Sequence, residues 1–407
     1  MRYRSFFNLV FGFLIGQGAM FIAQTLLISK SEVALVGQIT IGLGLLTLAQ
    51  WLADAGGVFL IPRLLGSEEN AQKRLACFIN ARFIFVTIIV ISVLVYLITK
   101  NSWHLYYGLV SFIIPVLLIS SFSVIGYLDF YNETKASGTL SGVSWSLASL
   151  PLYYSYFYEG DRYIIGMSAG LLFVLGNALF IIIQCVKMKQ VSKNGGIKLM
   201  YKDGFCIKKI KYSFYDIIKY NLNYGFSQSY GRFVPILLNT LLGPVLAGYY
   251  IYAKSFANIA NQFIAFSRRV EFSNLIAIHN GSVRKILSSQ LISFGIACIF
   301  AIFCFGTELI ECFYTLPIGN NTLLYIQVIA LINLLWCLSS SFSQYFIAKG
   351  KLGFICITQL ITYILSLSII YFGVEYLSIY SVFAAESIMY IVQFLIFIVF
   401  LKTYKKL

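Results

Sequence analysis

The chain has 407 residues, of which 59% are hydrophobic and only 11% are charged. Soluble proteins carry about 25% charged residues, so this composition excludes a soluble protein and indicates an integral membrane protein. The net charge of +15 comes from 30 Lys and Arg against 15 Asp and Glu. These charges fall between long apolar runs, so we expect them to set the membrane orientation, and we expect no nucleic acid as a partner.

Twelve apolar stretches follow one another along the chain, each near the ~20 residues that cross a bilayer as a helix. They leave no room for a folded soluble domain. We predict membrane helices at approximately residues 6–28, 36–60, 80–99, 105–127, 138–157, 163–186, 217–241, 246–266, 288–306, 322–347, 353–372 and 378–400.

Basic residues are distributed unequally between the two sides of these spans. Nearly all of them, including Arg82, Arg268 and the lysine-rich segment 187–216, lie on the side that also holds both termini. Because basic loops remain in the cytoplasm, both termini are predicted to be cytoplasmic. The opposite side carries only three basic residues, Lys30, Lys100 and Arg162.

The segment 187–216 separates two halves that resemble each other. Gly12 aligns with Gly225 at an offset of 213, and Gly37 aligns with Gly248 at an offset of 211. One two-residue indel in a turn reconciles the offsets, and halves of six spans share the same orientation. We therefore predict an all-α membrane protein of about 12 helices, in two parallel six-helix bundles around a central cavity. Its parts are an N-terminal bundle (1–186), a basic cytoplasmic linker (187–216) and a C-terminal bundle (217–407).

Four ionisable residues fall inside the predicted spans: Asp54, Arg232, Lys254 and Glu386. Each costs about 2.5–3.5 kcal/mol at a helix centre on insertion scales, so we expect them to face the bundle interior or water. Helical periodicity groups polar side chains into stripes. Any one amide is explained by interhelical hydrogen bonding, whereas the stripes together favour a hydrated cavity. The amides concerned are Gln17, Gln24, Gln228, Asn239, Asn258 and Asn261.

Three short motifs point to a known family. They are Gly16-Gln17-Gly18-Ala19, Ala53-Asp54-Ala55-Gly56-Gly57, and the stretch from Leu242 to Lys254 that reads LGPVLAGYYIYAK. These motifs resemble the polysaccharide (O-antigen, Wzx-type) flippases of the multidrug/oligosaccharidyl-lipid/polysaccharide (MOP) exporter superfamily. The resemblance implies translocation of an undecaprenyl-diphosphate-linked oligosaccharide from the cytoplasmic to the outer leaflet of a bacterial inner membrane. It also implies membrane lipids and other polysaccharide assembly proteins as partners.

For such a substrate, Arg232 and Lys254 are the predicted ligands of the diphosphate, because Arg offers a bidentate fork and Lys a point charge. The polar stripes would then bind the sugar hydroxyls. Glu386 and Asp54 are the predicted sites of coupling to a proton or sodium gradient. The alternative for all four residues is a structural role, in which the two cations neutralise the two acids in ion pairs.

Two other functions remain open from the sequence. A cation-coupled multidrug antiporter of the same superfamily would favour an acidic cavity, whereas the clearest intramembrane stripes here are cationic. Membrane polysaccharide polymerases and ligases resemble one another in having a large outer loop, and no such loop is predicted in this chain. The sequence carries no nucleotide-binding motif and no metal-ligand spacing, so we expect a transporter without a cofactor and not an enzyme. The pairs Gly12/Gly16 and Gly166/Gly170 are predicted to allow close helix packing.

Overall fold

The computed structural model describes residues 2–65, 71–131, 133, 142–158, 160–193, 207–277, 282–306, 320–349 and 351–404. Within these residues the secondary structure is helical. The α-helices in chain order are α1 Arg2–Ser29, α2 Val33–Asp54, α3 Gly57–Leu65, α4 Ala71–Lys100, α5 Ile113–Ser120, α6 Ile125–Phe130, α7 Val143–Phe157, α8 Arg162–Lys193, α9 Ile207–Leu242, α10 Pro244–Ala277, α11 Val283–Ser288, α12 Leu291–Cys304, α13 Asn320–Ala348, α14 Leu352–Leu377 and α15 Tyr380–Tyr404.

Seven of the described helices are long and apolar enough to cross a membrane. Two shorter apolar segments, Leu109–Ser120 and Leu291–Cys304, add to them. The helices α9 and α10 exceed the required length but are not among the seven, because charged and amide residues interrupt their apolar sequence. The predicted all-α, multi-pass membrane class is confirmed.

Two predicted spans are broken helices. The span at 36–60 consists of α2 and α3, which are separated by Ala55 and Gly56 with φ angles of 51° and 77°. The span at 105–127 consists of 3-10 turns followed by α5 and α6. A left-handed residue ends an α-helix because it turns the chain away from the helix axis. Both breaks lie in the first half of the chain, and both contribute to the site described below.

Several helices extend beyond the predicted spans. Helix α4 begins at Ala71, nine residues before the predicted span at 80–99, so Arg82, which was counted with the cytoplasmic charges, lies more than ten residues inside a helix. Helix α10 likewise continues to Ala277 and includes Arg268. Helices α8 and α9 enter the segment 187–216 from both ends, and residues 194–206 lie outside the described part.

The described structure divides into two compact units. Unit 1 comprises Met1–Leu26 and Gln38–Gly225, and unit 2 comprises Leu27–Gly37 and Phe226–Leu407. In unit 1, α7 packs along α8 and α3 packs on α6. In unit 2, α14 packs along α15, and α13 contacts α10, α12 and α15. The predicted boundaries at residues 186 and 217 stay a prediction.

Glycines permit close helix contacts at the positions that the small-residue pairs predicted. In unit 1, a Cβ on Gly16 would lie 2.6 Å from the Cα of Gly142, the residue before α7, and a Cβ on Gly142 would clash with the carbonyl oxygen of Gly12. A Cβ on Gly166 would clash with the Cβ of Tyr107, and one on Gly170 would clash with the ring of Phe112. No side chain fits at these distances, so the prediction of close packing is confirmed for both pairs.

Candidate functional site

Lys254 on α10 and Glu386 on α15 form an ion pair in unit 2. The Nζ atom of Lys254 lies 2.7 Å from Oε2 and 2.9 Å from Oε1 of Glu386. The carboxylate also accepts a hydrogen bond of 2.8 Å from the hydroxyl of Tyr250. The Glu386 side chain is 2% exposed and that of Lys254 is 22% exposed. For these two residues the structure therefore forms the ion pair that the sequence left as an alternative.

Tyrosine side chains surround this ion pair. Tyr230, Tyr250 and Tyr390 all interact electrostatically with Glu386. The ring of Tyr230 stacks on Tyr363 at a centroid distance of 5.0 Å, and its hydroxyl is hydrogen-bonded to Ser366 on α14. Four helices of unit 2 thus contribute to one polar cluster inside an otherwise apolar bundle.

Arg232 on α9 differs from the other three intramembrane charges. Its half-buried guanidinium forms no ion pair or hydrogen bond within the described part of the chain. Arg232 is ten residues before the end of α9 at Leu242, and Lys254 is ten residues after the start of α10 at Pro244. At about 1.5 Å per residue, each lies about 15 Å from the turn at Gly243. That depth is near the middle of a hydrocarbon core of about 30 Å.

Asp54 pairs with a cation that the sequence analysis did not consider. In unit 1, the Nη1 atom of Arg82 lies 3.8 Å from Oδ1 of Asp54 and donates a 2.9 Å hydrogen bond to the carbonyl of Ser123. The guanidinium also lies 5.5 Å from the ring centroid of Phe78. The Arg82 side chain is 1% exposed. It connects the break between α2 and α3 to the break between α5 and α6.

A pocket of about 270 Å³ opens beside this ion pair, entirely within unit 1. Residues of α2, α7, α8 and the α5–α6 segment form its wall. The nearby polar groups are held in place, since Asn177 donates a 2.8 Å hydrogen bond to Ser120 and Gln184 accepts one of 3.0 Å from the backbone of Val124. The polar and aromatic residues that line the pocket are Gln50, Trp51, Asp54, Ser120, Ser123, Ser144, Trp145 and Asn177.

The amide side chains that the sequence predicted as substrate ligands have different environments. Gln24 is 2% exposed and donates a 2.9 Å hydrogen bond to Thr40, which is a packing contact. Asn258 is exposed, whereas Gln17, Asn239 and Asn261 are half-buried. The side chain of Gln228 lies outside the described residues. Their roles as substrate ligands stay predictions.

Comparison with known proteins gives a uniform result for the fold. No protein-family model and no curated protein sequence matches the chain. An outward-facing multidrug resistance MATE family transporter of the MOP superfamily matches with a TM-score of 0.67 at 15% identity, covering 100% of this chain and 97% of that one. The lipid II flippase MurJ, in an inward closed conformation, matches with a TM-score of 0.67 at 15% identity, covering 96% and 86%. A MOP superfamily transporter from Pyrococcus furiosus, described as having a binding pocket of reverse polarity, matches at 0.60 and 12% identity, covering 100% and 97%.

The chain shares the fold of these solved transporters and flippases. These solved structures are transporters and flippases of about twelve helices, and the comparison covers nearly the whole chain. The predicted twelve-helix architecture is therefore confirmed.

Sequence reasoning missed the residues around Arg82. Arg82 was counted with the cytoplasmic charges, although it is two residues inside the predicted span at 80–99. Asn177 and Gln184 are seven residues apart on α8, which places them on one helix face two turns apart. The same spacing drew attention to Gln17 and Gln24 on α1 and would have identified this polar face as well.

Proposed function

We propose that this chain is a flippase that moves an undecaprenyl-diphosphate-linked oligosaccharide from the cytoplasmic to the periplasmic leaflet of a bacterial inner membrane. It works by alternating access and is coupled to an ion gradient, with both termini in the cytoplasm. The observation that carries the proposal is Arg232, a cation near mid-membrane depth for which the described structure contains no counter-ion.

The charge balance supports an anionic substrate. In unit 2, the described mid-membrane charges of Arg232, Lys254 and Glu386 sum to one positive charge. A charge left inside a membrane without a partner is costly, so such residues mark substrate or ion pathways. A diphosphate is the part of a lipid-linked sugar that most needs a counter-charge in hydrocarbon. A guanidinium matches it because two parallel N–H groups can bind phosphate oxygens together.

The ion pair between Lys254 and Glu386 is the proposed point at which transport is coupled to an ion gradient. Its ammonium is bound to both oxygens of Glu386, so a diphosphate reaching Lys254 must compete with that carboxylate. Uptake of a proton by Glu386 removes the negative charge and weakens the pair. A proton on Glu386 and a diphosphate on Lys254 therefore affect each other's binding. Proton and substrate binding are linked in this scheme because both act on one ion pair.

The test replaces Arg232. Arg232→Lys keeps the charge but loses the fork, so it should retain partial synthesis of surface polysaccharide in a strain lacking the native gene. Arg232→Ala should remove nearly all of it, and the matched control Lys100→Ala, at an exposed basic residue, should leave output unchanged. Each protein must first reach the membrane at normal abundance. Wild-type output from the alanine variant under that control contradicts the proposal.

A cation-coupled multidrug antiporter is the second candidate, because MATE transporters match the chain with the same TM-score as MurJ. An antiporter should lower the accumulation of a lipophilic cationic dye in cells that express the chain. The unneutralised Arg232 argues against a cationic cargo by charge repulsion. Dye export that survives Arg232→Ala, with no effect of the chain on polysaccharide output, would favour the antiporter.

A further inference from the structure

The pocket of unit 1 has groups that are available to a ligand. Gln50 and Trp51 form no hydrogen bond or ring contact within the described part of the chain. The buried hydroxyl of Ser123, at the pocket wall, also has no hydrogen-bond partner among the described residues. Buried polar groups are nearly always satisfied, so an unsatisfied one beside a cavity indicates a missing partner.

The charge of the pocket favours a neutral ligand. Asp54 is the one ionisable side chain among the described residues of the wall, and Arg82 stands 3.8 Å from it. The two residues form an ion pair of opposite charges. A cation would meet the repulsion of Arg82, and an anion would meet that of Asp54, so neither gains from the local field.

The shape and composition of the pocket favour a ring with one apolar face and many hydroxyls. The pocket volume of about 270 Å³ equals that of about nine water molecules at ~30 Å³ each. That space suits a single six-membered sugar ring but not an oligosaccharide. Trp51 and Trp145 supply electron-rich faces for the C–H groups of such a ring. Gln50, Asn177 and Ser123 supply donors and acceptors for hydroxyls.

We propose that the unit 1 pocket is a sugar subsite, which binds one neutral pyranose of the transported oligosaccharide between Trp51 and Trp145. This inference rests on the proposed flippase function and extends it. In that extension, the pocket selects the sugar of the substrate. Asp54 acts here as a hydrogen-bond acceptor whose charge is balanced by Arg82, and the coupling role predicted for it from the sequence is not required.

The experiment uses tryptophan fluorescence of the purified full-length protein in detergent. The chain has four Trp, so Trp103→Phe with Trp336→Phe leaves the two pocket residues as the only indole reporters. This protein is titrated with methyl glycosides of glucose, galactose, mannose, N-acetylglucosamine and N-acetylgalactosamine. At least one glycoside should change the fluorescence saturably, with a dissociation constant in the millimolar range.

Pocket variants then test the assignment. Gln50→Leu keeps the side-chain volume and removes the amide, so it should weaken binding about tenfold, the effect of one hydrogen bond to a buried site. Trp51→Ala should abolish binding, and Trp51→Phe should retain part of it. Gln327→Leu makes the same chemical change in unit 2 and should have no effect. All variants must keep the unfolding temperature of the parent protein.

Two outcomes overturn the sugar subsite. One is the lack of a saturable response to any of the glycosides. The other is binding of tetraphenylphosphonium that is lost in Asp54→Asn, which would make the pocket a site for organic cations. The flippase proposal is judged separately by polysaccharide output. Glycoside binding with no effect of Arg232→Ala would retain the pocket and reject the flippase, and the reverse result would retain the flippase and reject the pocket.

Discussion

Removing either partner of the Lys254–Glu386 pair should destabilise unit 2 far more than removing both. Breaking a buried ion pair at one end leaves an uncompensated charge and costs about 3–5 kcal/mol. Lys254 keeps 22% of its side chain exposed, so Glu386→Leu should lie near the lower end of that range. Glu386 is 2% exposed, so Lys254→Met, which strands the carboxylate, should lie near the upper end.

The double variant Lys254→Met/Glu386→Leu contains no stranded charge. Its main loss is the hydrogen bond from the hydroxyl of Tyr250, so we expect a cost of about 1–3 kcal/mol. The double-mutant cycle should therefore give a coupling energy of about 6 kcal/mol. A matched cycle on Ser339 and Gln393, a neutral pair at 2.7 Å that also involves α15, should give about 1 kcal/mol.

The assay is reversible unfolding in mixed micelles of a mild detergent and sodium dodecyl sulfate, followed by circular dichroism. The four proteins of each cycle are compared under identical conditions. Single-variant costs that simply add in the Lys254/Glu386 double variant would show that the two groups do not depend on each other. That result would also remove the basis for coupling by exchange of the Lys254 partner.

Three further predictions concern other parts of the chain. A reporter enzyme fused after Lys198 should be cytoplasmic, and one fused after Gly319 should be exported. The activity of the reporter checks both locations, and export of the reporter at Lys198 would refute the two-bundle topology. Arg82→Leu should lower the free energy of unfolding by about 3–5 kcal/mol because it removes the cation beside Asp54 and the hydrogen bond to the carbonyl of Ser123, with Arg82→Leu/Asp54→Leu costing less than the sum of the two single variants in the same detergent assay. Glu386→Gln should abolish gradient-driven transport in proteoliposomes while substrate binding persists, and unchanged transport across a series of imposed pH gradients would exclude the coupling role.

The fold was largely predictable because membrane spans leave a strong compositional signal. Twelve apolar windows indicated the helix number and the all-α class, and the repeat reinforced both. Helix ends were less predictable. The polar first turns of α4 and the polar last turns of α10 are helical because backbone hydrogen bonding continues into the interfacial region, where hydropathy no longer marks the helix.

The charged residues of the site were predictable from the sequence, but their ion-pair partners were not. The sequence identified four charged residues whose insertion into a membrane is unfavourable and therefore indicates a function or an ion pair. They are Asp54, Arg232, Lys254 and Glu386. The sequence could not show that Lys254 binds Glu386 across 132 positions of chain. Such partners are set by the packing of α10 against neighbouring helices, and helical periodicity describes one helix at a time.

The polarity of α9 and α10 bears on how the chain enters the membrane. A translocon sorts each emerging segment by its apparent transfer free energy, and each Arg or Lys at a helix centre opposes entry by about 2.5–3.5 kcal/mol. Both helices carry such a residue, and a single residue, Gly243 with a φ of 83°, separates them. With no loop between them, the second helix must follow the first into the bilayer. We therefore expect the two helices to insert together as one helical hairpin, because the cation in each opposes insertion of either helix alone.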